Sequence, residues 1–320
     1  MKTQFEPDFA KRLQAIRQQL PESLQHALVL DLIALSLAED LYPDGLGKMD
    51  DRPSHYDLTS ASIFSNHGRS EGRIFSREAG IIAGLPIAQA VFALVEGQVD
   101  FQHAVKEGEA VAEGQNVARV HGPASGLFAA ERTALNFLGR MSGIASLTRK
   151  YVAAVAHTGA IILDTRKTAP GHRLLDKYAV RMGGGENHRL GLYDRVLIKN
   201  NHIDGVGGIE TAVARVREKH ADRYPVEIEV RTLEELKIAL TLEPTRIMLD
   251  NMDPDTMRSA VKIADQRVPM EASGNVSLDT VAEIAETGVD YVSVGSLTHS
   301  APVFDVSMHV DQPGVNMDQT

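Results

Sequence analysis

The chain has 320 residues, 43% of them hydrophobic, which is enough for one large domain or two ordinary ones and argues against disorder. It contains no cysteine, so disulfides, thiolate metal sites and a cysteine nucleophile are excluded. The formal charge of −10, the lack of tryptophan and an aromatic content of 5% argue against nucleic acid as a partner.

The N-terminal MKTQFEPDFAKRL is too polar and acidic for a signal peptide. The most apolar run, Ala27 to Ala38, is too short for a membrane span and is interrupted by Asp31. A cytoplasmic protein is expected. Residues 8–19 and 21–40 carry helical periodicity, with Pro21 at a helix start. Residues 42–57, YPDGLGKMDDRPSHYD, read as a loop. Short strand-like runs follow at LTSASIF, GRIFSR, GQVDFQHAV and NVARVHG, with a helix at 85–95 between the two pairs, and suggest a small α/β layer. The turn-rich VKEGEAVAEGQNVARVHGPASG looks like a lipoyl-type hammerhead, but Lys106 precedes the turn glycine Gly108 and is poorly placed for a carrier lysine.

A long helix is expected from Glu131 to about His157. Beyond it the pattern becomes rhythmic. Short apolar runs at 160–164, 195–200, 226–230, 246–250, 269–273 and 291–295 read as strands, and 207–220, 232–241, 254–265 and 278–287 as helices between them. The spacing is that of β/α units in a parallel barrel, whose strand ends open on one mouth. Each run ends in polar residues: Asp164 to Lys167, Lys199 to His202, Glu229 with Arg231, Asp250-Asn251, Ser273-Gly274-Asn275 and Gly295-Ser296.

Charge gathers in the same region. Glu131 to His202 holds 12 Lys and Arg against 5 Asp and Glu, a net of +7, which leaves −17 for the rest. A positive pocket in an acidic protein suits a small anion. Arg166, Lys167 and Lys199 fall at strand ends, and Arg173, Lys177, His188 and Arg189 on the connection between the first two strands. Guanidinium groups grip carboxylates in bidentate fashion and lysine serves phosphate as a point charge. Gly183, Gly184 and Gly185 permit close backbone approach or a plain flexible loop. Glu229 and Asp250 offer hard oxygens for Mg²⁺ held with substrate phosphates, or partners for Lys167 and Lys199. Ser273-Gly274-Asn275 and Gly295-Ser296, on the last two strands, sit where barrels build phosphate sites. A Schiff-base enzyme using Lys199 and a ligand-binding protein without turnover remain as alternatives.

Taken together, ERTALNFL, DTRKTAPGHR, KYAVRMGGGENHR, LIKNNH, VEIEV, MLDNM, EASGN and DYVSVGSLTHS resemble the quinolinate phosphoribosyltransferases, in order through most of residues 22–309. The resemblance implies an N-terminal α/β sandwich, residues 1–130 joined by the tail 302–320, and an open parallel β/α barrel of residues 131–301. It implies a homodimer with shared active sites and transfer of phosphoribose from phosphoribosyl pyrophosphate to quinolinate with loss of CO₂, within NAD biosynthesis. Residue by residue it places Arg132 of a partner subunit, Arg166, His188 and Arg189 around quinolinate, with Lys177 adding charge. It places Lys167, Lys199, Glu229 and Asp250 at the phosphoribosyl donor and Mg²⁺, and Ser273, Gly274, Asn275, Gly295 and Ser296 at the 5′-phosphate. Three departures stand out: a long 42–57 loop, Asn200 where aspartate is expected, and Asn275 where glycine is commoner.

Overall fold

The computed structural model describes residues 7–42, 57–64 and 68–311. The 42–57 loop therefore lies almost wholly outside the described residues. The chain divides into two compact units, one of residues 1–146, 170–182 and 301–320, the other of residues 147–169 and 183–300.

The first unit opens with helices α1 (Pro7–Gln19) and α2 (Ala27–Leu41), separated by a short 3₁₀ turn at Glu22–Leu24. The LTSASIF run, expected as a strand, is instead helix α3 (Leu58–Ile63). Asp57 explains the difference: its Oδ1 accepts from the backbone N–H groups of Thr59 and Ser60 and caps the helix start. Strands β1 (Arg69–Ser76), β2 (Gly80–Ile81), helix α4 (Leu85–Val95), and strands β3 (Asp100–His103), β4 (Ala110–Val111) and β5 (Asn116–Pro123) follow. Helix α5 (Ala124–Ala154) runs 31 residues, and its first part, to Ser146, belongs to this unit, as does α6 (Arg173–Met182). The tail returns as a strand beside β1, pairing antiparallel with Gly72 opposite Val310, so the sheet order is tail, β1, β5, β3. Gly143 is required at the tail's crossing of α5, where a Cβ would collide with the carbonyl oxygen of Pro302.

The second unit is a parallel sheet. Its strands are β6 (Ile161–Leu163), β7 (Val196–Ile198), β8 (Val226–Val230), β9 (Arg246–Asp250), β10 (Met270–Ser273) and β11 (Tyr291–Ser293). They hydrogen-bond in the order β6-β11-β10-β9-β8-β7. That is chain order wrapped round once, with β6 and β7 left as edges: a β/α barrel open at one seam. Glu186 runs beside β6 at its free edge, its N–H donating to Ile162 O (2.8 Å) and its carbonyl accepting from Asp164 N (3.1 Å).

Between strands lie α7 (Asn200–Val206), α8 (Ile209–His220), α9 (Leu233–Thr241), α10 (Pro254–Ala264), α11 (Val281–Ala285) and α12 (Ser296–His299). The expected helix at 207–220 is α8, while α7 ahead of it was not expected; Gly207 and Gly208, with φ of 82° and 146°, separate the two. Helix α10 shows the local logic well: Asp253 caps its N-terminus through Thr256 N (2.9 Å) and Pro254 fills its first turn. Both faces of the sheet are covered, so VEIEV is buried at all five positions. Ile228, Val230, Ile247, Leu249 and Val292 are completely buried, each contributing about 1.5–3 kcal/mol relative to exposure. No helix among the described residues is long and apolar enough to cross a membrane.

Candidate active site

A strand alternates its side chains, so residues two apart share a face. Glu227 and Glu229 on β8, Arg246, Met248 and Asp250 on β9, Glu271 and Ser273 on β10, and Tyr291 and Ser293 on β11 therefore point the same way. The register sets Asp250 level with Ser273, and Ser273 level with Ser293. At the strand ends opens a cavity of about 660 Å³, lined by Arg166, Lys167, His188, Arg189, Lys199, Glu229, Asp250, Ser273, Gly274, Asn275, Gly295 and Ser296. That is the volume of a small-molecule pocket. Of the expected residues, Arg132, Arg173 and Lys177 belong to the other unit.

Asp164 stitches the first two motifs together. Fully buried at the end of β6, it accepts from Asn187 Nδ2 at 2.6 Å and from His188 N at 2.9 Å. The Asp of DTRK thus sets the path of the NHR segment. The triple glycine serves the same turn. Gly184 takes φ of 94°, a left-handed value that favours glycine, and Gly183 O accepts from Arg149 Nε at 2.9 Å.

The cationic side of the cavity is short of counter-charge. Arg166 Nε is buried with no hydrogen-bond partner. Arg189 is 7% exposed, and burial followed by the like charge of Arg166 lowers its pKa from the usual guanidinium value. Two guanidinium groups held this way leave donors for an anion. Asp194 shapes the following turn by accepting from Leu190 N and Gly191 N at 2.7 and 2.9 Å.

The acidic side is organised by Asn200. Its backbone N–H donates to Glu229 Oε1 at 3.3 Å and its Nδ2 to Asp250 Oδ2 at 3.1 Å. Asn251 Nδ2 donates to Asp250 Oδ1 at 2.9 Å, and Asn275 Nδ2 to Asn251 Oδ1 at 3.3 Å. Among the described residues, neither Lys167 nor Lys199 is ion-paired to Glu229 or Asp250. Both unusual asparagines thus join one amide chain along the carboxylates. An aspartate at 200 would instead face Asp250 with like charge. Asn275 also adopts φ of 50°, a region asparagine enters more readily than most residues.

Gly274 sits at φ 108°, and a Cβ there would collide with Asn251 Oδ1. A Cβ on Gly295 would meet Lys167 Cδ at 3.0 Å and His299 Nε2 at 3.2 Å. Both glycines therefore keep backbone open toward the cavity at the last two strand ends. Thr298 Oγ1 donates to Lys167 O at 2.8 Å and fixes the lysine's backbone beside this segment. His299 also lines the cavity and was not singled out from sequence.

Beneath the mouth lies a second set of charges that the strand-end reading missed. His188 Nε2 is 3.1 Å from Glu227 Oε2 and 3.5 Å from Glu271 Oε2, and both glutamates are completely buried. Arg246 Nη1 donates to Glu271 Oε2 at 2.8 Å, with its guanidinium 3.8 Å from the Tyr291 ring centroid. Arg195 Nη1 is 3.7 Å from Glu227 Oε2. Burial opposes charge on His188, but the hydrogen bonds to Glu227 and Glu271 outweigh it and push its pKa up to about 9. Burial raises the Glu227 pKa; for Glu271 it acts the same way, but His188 and Arg246 overcome it and hold that carboxyl low. The three possible ligand atoms of His188, Glu227 and Glu271 lie within 4.8 Å of one another, but Arg246 and Arg195 already bring positive charge to them. Period-two alternation was the available signal: Glu227 lies two before Glu229, Glu271 two before Ser273, and Arg246 four before Asp250.

Residues 144–309 match the family model for the quinolinate phosphoribosyl transferase C-terminal domain, and residues 57–142 that for its N-terminal domain. A chloroplastic nicotinate-nucleotide pyrophosphorylase (carboxylating) of Oryza sativa is 42% identical over 284 residues, 83% of this chain and 76% of its own length. A probable nicotinate-nucleotide pyrophosphorylase (carboxylating) of Bacillus subtilis is 42% identical over 79% of this chain and 88% of its own. Among solved structures, NadC from Streptococcus pyogenes superposes with a TM-score of 0.81 at 38% identity, covering 87% of this chain and 94% of that one. With both domain models matched in order, the chain belongs to the quinolinate phosphoribosyltransferase family.

Proposed function

We infer that the mouth of the parallel sheet transfers phosphoribose from phosphoribosyl pyrophosphate to quinolinate and releases CO₂, giving nicotinate mononucleotide for NAD biosynthesis. The observation that carries this reading is the Arg166–Arg189 pair. A buried guanidinium N–H without a partner, beside a second arginine whose pKa it lowers, suits a carboxylate-rich ligand. His188 would face the same acid. Lys177, expected to add charge there, is 1% exposed on α6 in the first unit and is not among the contacts proposed.

At the donor end, Lys167 and Lys199 would hold the pyrophosphate, and Glu229 and Asp250 the ribose hydroxyls. Backbone at Ser273, Gly274, Asn275, Gly295 and Ser296 would hold the 5′-phosphate, His299 beside it. The pyridine nitrogen attacks C1′ as the bond to pyrophosphate breaks. Lys167 and Lys199 stabilise the leaving charge, and the acceptor ring becomes cationic. The bond to the 2-carboxylate then breaks, its electron pair passes to the ring, CO₂ leaves and a proton is taken up at that carbon. The protein supplies no nucleophile; position and electrostatics supply the rate.

Glu229 and Asp250 fit Mg²⁺: both are hard oxygen donors on the cavity wall, tied to one residue, Asn200, whose own Oδ1 is buried with no donor. When bound with the donor's phosphates, the ion would neutralise charge on the departing pyrophosphate. A homodimer completes the proposal. Arg132 is exposed in a cavity of about 470 Å³ in the first unit, with Glu39, Asp40, Arg140 and His172, and would serve the site of a partner subunit. The cytoplasm is the compartment we assign, since a cysteine-free chain suits a reducing one.

The test is pyrophosphate and CO₂ release from purified protein with quinolinate, phosphoribosyl pyrophosphate and Mg²⁺, each omitted in turn. Release that requires all three supports the reading. Equal turnover of nicotinate would overturn the dicarboxylate assignment.

A further inference from the structure

The charges beneath the mouth have a use that fold stability does not explain. Completely buried carboxylates are costly unless paired and fully hydrogen-bonded, and apolar replacements often serve a fold as well. Here two of them approach one imidazole nitrogen, at 3.1 and 3.5 Å. The hydrogen bond from that nitrogen goes to Glu227 Oε1 at 3.3 Å, and Glu227 Oε2 and Glu271 Oε1 have no hydrogen-bond partner among the described residues. Glu271 and His188 both line the cavity. The backbone of His188 is anchored separately, through its N–H to Asp164 Oδ1 at 2.9 Å, and the ring's Nδ1 lies 2.7 Å from Arg189 N, so the glutamates act on the Nε2 side of the ring. Arg246 in turn holds Glu271 at 2.8 Å while stacked on Tyr291.

We propose that Glu227 and Glu271 are positioning residues for the acceptor end of the site: they hold the His188 ring against the acid substrate, and Arg246, braced on Tyr291, holds Glu271. The raised pKa of His188 accords with this, because the same two carboxylates that orient the ring also favour its positive charge. The proposal rests on the reading that His188 faces quinolinate. It makes the specificity of the acceptor end depend on three residues of the β8, β9 and β10 strands below the expected contacts.

The experiment is steady-state kinetics on the full chain, varying each substrate, for Glu227→Gln, Glu271→Gln, His188→Ala and the Glu271→Gln/His188→Ala double variant, with thermal melts alongside. Each glutamine variant is expected to raise the KM for quinolinate about tenfold and to leave the KM for phosphoribosyl pyrophosphate unchanged. In the His188→Ala background Glu271→Gln should add less than about twofold, because its effect passes through the ring. An unchanged quinolinate KM in the glutamine variants, with a raised one in His188→Ala, overturns the proposal and leaves the functional reading standing. Undiminished effect in the His188→Ala background, or equal effect on both substrates, also overturns it. No change in His188→Ala itself refutes the underlying placement of quinolinate. Should a glutamine variant fail to fold, Arg246→Lys carries the test, since it keeps the buried charge but loses the planar grip. A selective rise in quinolinate KM of about threefold or more supports the proposal, and no selective change overturns it.

Discussion

The rim and the floor of the parallel-sheet unit use similar residues in opposite ways. At the rim, among the described residues, Arg166 keeps a buried N–H without a partner, Arg189 lies beside it with like charge, and Lys167 and Lys199 are not paired to Glu229 or Asp250. On the floor, Arg246 is bonded to Glu271, and His188 is shared between Glu271 and Glu227. Unpaired charge facing a cavity waits for a ligand; charge paired in the interior fixes the shape of what stands above it.

The sharpest way to break this comparison is to remove a floor charge. Arg246→Met should destabilise the protein by about 3–5 kcal/mol, since it leaves Glu271 buried beside an uncompensated neighbour. Urea unfolding would measure it, and a change below 1 kcal/mol would place the floor with ordinary surface pairs. A rim charge should behave otherwise. Arg189→Ala is expected to lower kcat/KM for quinolinate by about 10²–10³, roughly 2.7–4 kcal/mol, by analogy with loss of one oxyanion donor. Its effect on unfolding should be much smaller than that of Arg246→Met, and normal turnover would refute the role given to Arg189.

A smaller effect is expected at the cradle. Gly274→Ala places a Cβ at φ 108° against Asn251 Oδ1, at a cost of about 1–3 kcal/mol. Its kinetic mark should be a raised KM for phosphoribosyl pyrophosphate with little change for quinolinate. The mildest probe is pH. The His188 pKa stands at about 9 in the folded protein against 6.5 as its ordinary value. Folding therefore gains from this proton in full below pH 6.5, and the gain is lost as pH rises through about 9. Stability measured from pH 7 to 10 should decline in the wild type, and decline less in His188→Ala.

Much of the layout could be read from the chain. The recurring apolar runs and their polar ends marked a parallel sheet with a common mouth, because strand spacing and strand-end polarity are local properties. LTSASIF was misread because Thr, Ser and Ile carry weak preferences, and the cap on Asp57 decided for a helix. Glu227 and Glu271 were passed over because the reading followed the polar strand ends, whereas these glutamates lie two positions earlier on strands covered on both faces.

Sequence alone determined the family, the order of the six parallel strands and most of the residues that line the cavity at their ends, all of which depend on residue types at short spacing. Only the tertiary structure decided which charges meet: that Asp164 ties DTRK to NHR, that Asn200 and Asn275 join one amide chain on Asp250, and that His188 rests on Glu227 and Glu271. These contacts join residues about 23 to 83 positions apart, and their distances follow from sheet register and packing, which no local pattern encodes.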